Sequence, residues 1–186
     1  MRQTVVRYGF KTGAILSALM VATLGIGKLI GWENHGYGGM AVGYTTMVLS
    51  FMLIHFGVRS YRDTVTGGDV RFWPALRVGL LIALIGSACY AATWLVVSPL
   101  IMPNFAEEYG AEAVTQAETR GAPAAEVEKM RTDMANFATM YKNPFYKFGM
   151  TLLEPLPVGV LMSLISASVL SRRRKGVMAA MGGATG

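Results

Sequence analysis

The stretch ALRVGLLIALIGSACYAATWLVV, Ala75–Val97, decides the class of this protein. It runs for 23 residues with one charge, Arg77, at its start. A helix needs about 20 apolar residues to cross a hydrocarbon core of roughly 30 Å, so this segment predicts a membrane span. Three more windows read the same way: Tyr8–Ile30, Gly39–Val58 and Phe148–Leu170. With 53% hydrophobic residues in 186, a soluble globular domain is not expected. The first window exceeds the h-region of a secretory signal, about 7–15 residues, and no A-x-A site follows it, so it reads as a retained helix. The single cysteine, Cys89, lies inside the third span, which leaves neither an intramolecular disulfide nor a thiol metal cluster to expect.

The basic residues predict the threading. Arg2, Arg7, Lys11, Arg59, Arg62, Arg71, Arg77 and the run Arg172, Arg173, Arg174, Lys175 place eleven of the 17 Lys and Arg on one side. Of the acids, only Asp63 and Asp69 share that side. By the positive-inside rule both termini are cytoplasmic. The net charge of +6 is then topological, not a nucleic-acid signal. The Arg172–Lys175 run stops transfer and can grip anionic headgroups. Ser60–Asp63 followed by Gly67-Gly68 reads as a tight cytoplasmic turn.

The chain therefore divides into residues 1–97 with three spans, an external segment 98–147, a fourth span over 148–171, and a basic then Gly-rich tail over 172–186. In the external segment, Val127, Met130, Met134, Phe137 and Tyr141 recur at alternating steps of three and four, which is one apolar helix face. Phe105, Tyr109, Ala113 and Ala117 recur at steps of four, predicting a second helix that pairs with the first across TRGAP. Such a hairpin has too small a core to stand alone. Its Val127–Tyr141 face is the expected protein-interaction surface. Small residues form three ridges: Gly9, Gly13 and Ser17; Gly79, Ala83, Ser87 and Ala91; Gly159, Ser163, Ala167 and Ser171. In lipid, helices associate through such close approaches. Aromatic residues, Phe10 and Trp73 at the inner boundary and Trp94 and Phe145 at the outer, read as interfacial anchors.

Glu154 is the candidate intramembrane site, set against Pro155 and Pro157 within the fourth span. Neither proline carries an N–H, so the carbonyls of Thr151 and Leu153 lose their helical donors. Two readings are open. Glu154 caps a shortened helix beginning at Pro155, with Lys28, Lys147, a tyrosine or water as partner. Alternatively, it is a cation or proton site beside freed carbonyls. His55 reads as an interfacial hydrogen-bonder. Glu33, Asn34 and His35 with Glu107 or Glu108 make a weak metal pattern, without paired-histidine spacing. No nucleophile elbow, phosphate loop or haem-attachment signature is present, so neither an enzyme nor a cofactor is expected.

GMAVGYTTMVLSFMLIHFGVRSYRD, LRVGLLIALIGSACYAATW and MYKNPFYKFGMTLLEPLPVGVLMSLISASVLSRRRK resemble domain-of-unknown-function family 4199, small bacterial membrane proteins. Gly43-Tyr44, Tyr61-Arg62-Asp63, Lys142-Asn143-Pro144, and Glu154 with Pro157-x-Gly159 carry the resemblance, which runs from about Tyr8 to Lys175. It implies four spans and an extracytoplasmic helical insertion, and it supplies no activity. The expectation is an all-α, four-helix transmembrane bundle with an extracytoplasmic hairpin between spans three and four. Its expected setting is the bacterial inner membrane, its role that of a non-catalytic accessory or structural subunit. Its expected partners are the lipid bilayer and either further copies of itself or a larger membrane complex, with no nucleic acid. The alternative is an oligomeric ion or proton transporter or channel built around Glu154.

Overall fold

The computed structural model describes residues 1–29 and 37–171. Seven helices account for nearly all of them: α1 (Arg2–Leu29), α2 (Tyr37–Val65), α3 (Phe72–Ile101), α4 (Phe105–Thr119), α5 (Ala124–Tyr141), α6 (Pro144–Leu153) and α7 (Leu156–Leu170). The first three cross a membrane singly, and α6 with α7 makes the fourth crossing. The protein is an all-helical, multi-pass membrane protein.

The small-residue ridges determine who packs on whom. Gly9 of α1 meets Ile85 of α3, Gly13 meets Cys89, and Thr93 Oγ1 donates to Ser17 Oγ at 2.8 Å. The constant offset makes α1 and α3 parallel. In contrast, Gly79 meets Ser163 and Gly159 meets Ala83, so α3 and α7 run antiparallel. A Cβ on Gly13 would lie 2.5 Å from that of Cys89, and one on Gly159 would lie 2.7 Å from that of Ala83. Only glycine permits these separations. The helix α2 closes the bundle, with Gly57 against Ile82 and Tyr8. Phe51, Ile54 and Val58 of α2 and Val78 and Ile82 of α3 are fully buried in the common core.

These pairings bring the start of α1, the α2–α3 connection and the end of α7 to one end of the bundle. At that end the predicted turn at Ser60–Asp63 is instead helical. α2 continues to Val65, and the chain reverses at Gly67 and Gly68, whose φ values of 68° and 98° suit residues without Cβ. Arg62 Nε pairs with the neighbouring Asp63 Oδ1 at 2.7 Å.

At the other end, α4 and α5 form the predicted hairpin, reversing through Gly121 at φ 76°. The buried face of α4 is Ala106, Gly110, Val114 and Ala117, one residue along from most of the predicted positions, which leaves Tyr109 exposed. A Cβ on Gly110 would lie 3.1 Å from Met134 Cβ, which is why the two helices can lie so close. Lys142-Asn143-Pro144 is a helix start: the Asn143 side chain accepts hydrogen bonds from the backbone N–H groups of Phe145, at 2.9 Å, and Tyr146, while Pro144 occupies the first turn.

Candidate functional site

Between the bundle and the hairpin, polar side chains of α3 and α6 form a ladder. Residues 90, 94 and 98 lie one turn apart on α3, and residues 147, 151 and 154 share a face of α6 and its end. On the outermost rung, Lys147 Nζ donates to Ser98 Oγ at 3.4 Å and sits 5.0 Å from the centre of the Tyr141 ring. On the next, Trp94 Nε1 donates to the Tyr141 hydroxyl at 2.7 Å, and the same hydroxyl meets the Thr151 side chain. On the innermost rung, the Tyr90 hydroxyl lies beside the Glu154 carboxyl.

Aromatic packing surrounds the middle rung. Phe105 stands edge-on to Trp94 with ring centres 5.1 Å apart, and Phe137 lies 5.2 Å from Tyr141. The last residue of α5 is thereby locked into the side of α3. Burial pushes the Tyr141 phenol above its ordinary value, against the two donors that favour its ionised form.

Several expectations change here. Glu154 does not cap the helix after the prolines: α7 begins at Leu156 with Pro155 as its capping residue, and no side chain caps it. The carboxyl has the Tyr90 hydroxyl of α3 as its polar neighbour instead. Lys147 serves Ser98 and the Tyr141 ring, not Glu154. Trp94 is not an interfacial anchor but a buried hydrogen-bond donor within the protein, whereas Phe145, 87% exposed, fits an anchor.

The other predicted residues fall as follows. Pro155 is fully buried at the helix break, and Pro157 lies exposed in the first turn of α7. Val127, Met130, Met134 and Phe137 are half-buried and Tyr141 is buried; Met134 packs on α4, and Phe137 and Tyr141 belong to the aromatic cluster. His55 stacks edge-on against Phe56. Arg172, Arg173, Arg174 and Lys175, like Glu33, Asn34 and His35, lie outside the described residues. Among the described residues, no three His, Cys, Asp or Glu side chains converge as a metal site.

Sequence reading missed Tyr90 and Ser98 as functional positions. The available signal was weak: polar groups at steps of four, 90, 94 and 98, on a mostly apolar span that also carries Ser87 and Thr93.

No curated protein and no solved structure matches this chain. One family model does, over residues 7–172, described as a protein of unknown function (DUF4199). That match takes in all four crossings, the hairpin and the whole ladder, and on it the chain belongs to the DUF4199 family.

Proposed function

We propose that the protein is a non-catalytic accessory or structural subunit of a membrane assembly, presenting a rigid helical platform outside the bilayer. The observation that carries this reading is the attachment of the hairpin. A free linker would leave α4 and α5 mobile, whereas the Trp94–Tyr141 hydrogen bond and its aromatic surround seat them on α3. The bundle below has a largely apolar core around Phe51, Ile54 and Ile82, with small buried hydroxyl side chains such as Thr12 and Ser87 where helices meet, as suits a close-packed scaffold. On the platform, a groove of about 420 Å³ runs between α4 and α5, with Ala111, Val114, Ala135 and Ala138 on its walls and Glu107, Glu118 and Arg131 at its edges. Apolar walls with a charged rim are the anatomy of a protein contact. The excess of basic residues at the opposite end supports a bacterial inner-membrane setting with both termini cytoplasmic and the platform outside.

The test is assembly state. Extracted in mild detergent, the protein should run as a defined oligomer or within a larger complex. Ala111→Arg with Ala135→Arg should disperse that species while the helical circular-dichroism signal stays unchanged. A monomer with no associated chain would refute the accessory reading. An assembly indifferent to the double substitution would move the contact away from the groove.

A further inference from the structure

The outward faces of α6 and α7 form one continuous stripe: Met150, Leu153, Glu154, Pro157, Leu161 and Leu164 are all exposed on the surface of the protein. Five of the six are apolar, as a face turned to lipid requires. The sixth is a carboxyl group. Glu154 stands beyond the full length of α7, whose 15 residues span about 22 Å, so it lies inside a hydrocarbon layer of roughly 30 Å measured from the Leu170 end.

Its surroundings offer little to balance a charge. From α3 it meets the Tyr90 hydroxyl; from α5 the neutral phenol of Tyr141 stands nearby. The nearest cation on its own helix, Lys147, is turned to Ser98 and the Tyr141 ring. Among the residues whose side chains are described, no lysine or arginine reaches the carboxylate. A charged side chain within hydrocarbon is expensive unless paired, and intramembrane carboxyls mark functional positions for that reason. A bound proton removes the charge. The acid form still donates one hydrogen bond and accepts others, which Tyr90 satisfies on the protein side.

We propose that Glu154 is a proton-binding carboxyl open to the lipid phase, with Tyr90 as its partner, and that it is therefore a site of modification by hydrophobic carbodiimides. This does not rest on the accessory reading, since it concerns one side chain and its solvent. The reaction is an addition. The acid oxygen bonds to the central carbon of the carbodiimide and one C=N becomes a single bond. The acid proton passes to that nitrogen, and the O-acylisourea then rearranges to a stable N-acylurea. Nothing is oxidised or reduced and no group leaves.

The experiment uses the full-length protein in liposomes, treated with dicyclohexylcarbodiimide or with a water-soluble carbodiimide, and peptide mass spectrometry locates the adduct. The expected result is an N-acylurea on Glu154 with the hydrophobic reagent alone, formed faster as pH falls. Glu154→Asp should keep the labelling and Glu154→Gln should abolish it. Tyr90→Phe should raise the rate by about tenfold, the low end of what a hydrogen bond to a carboxylate is worth. Labelling of Glu154 by the water-soluble reagent to the same extent would place the carboxyl in water and overturn the proposal. So would the absence of a Glu154 adduct in folded, unmodified protein, which needs no variant to read.

Discussion

The indole N–H of Trp94 donates to the hydroxyl of Tyr141 at 2.7 Å, across 47 residues of chain, and this bond joins the third span to the end of the α4–α5 hairpin. Both side chains are more than nine-tenths buried, so neither has water to fall back on. Removing one partner of a buried hydrogen bond leaves the other unsatisfied, which costs about 1–3 kcal/mol.

Tyr141→Phe should therefore destabilise the hairpin by about 1–3 kcal/mol, because the Trp94 N–H is orphaned while the ring packing survives. Hydrogen exchange should show faster exchange in α4 and α5 with α1 and α2 unchanged. Uniform loss of protection across all spans would mean that the hairpin and bundle unfold as one unit.

Gly13 and Gly159 test the bundle in the same way at two interfaces. Gly13→Ala and Gly159→Ala each drive a methyl group into a neighbouring side chain, at 2.5 Å and 2.7 Å from its Cβ, and overpacking of this kind costs about 1–3 kcal/mol. Gly43→Ala adds its methyl to open space and should leave stability unchanged or slightly raised. Thermal unfolding in detergent ranks the three. Equal midpoints would show that the helices are not held at these separations.

Tyr141 also makes a pH prediction. Its folded value lies above the ordinary 10, raised first by burial. The neutral phenol is thus favoured in the folded state. Its stabilising effect is complete below the unfolded value and is lost as pH rises from there through the folded value. Following near-ultraviolet circular dichroism from about pH 9 to about pH 12, the aromatic signal of the hairpin should weaken late in the titration. In Tyr141→Phe that late step should be missing.

Topology can be read with impermeant thiol reagents on a Cys89→Ser background. Gln116→Cys, in α4, should label from outside intact cells. Thr66→Cys, in the α2–α3 connection, should label only after the membrane is opened. The reverse pattern would invert the proposed orientation.

The four crossings and the helical hairpin were legible in the sequence because each is a local property. Hydropathy over about 20 residues makes a span. An apolar repeat of three and four makes an amphipathic helix, as in Val127–Tyr141. The three ridges of small residues were legible too, as surfaces able to approach a neighbour. Their partners were not, because a ridge such as Gly79–Ala91 carries no mark of which other ridge it meets. Packing settled that: Gly9, Gly13 and Ser17 lie against one side of α3, and Gly159 and Ser163 against another. The same holds for TLLEPLPVG, Thr151–Gly159. From the sequence, Glu154 beside two prolines read first as a helix cap, with a site in its own right as the alternative. The tertiary structure removed the cap and supplied Tyr90, a residue 64 positions away, because packing of α6 on α3 brings the two side chains together. Trp94 changed meaning for the same reason. An indole near a span end reads as a lipid anchor until a hydroxyl from another helix arrives to accept its proton.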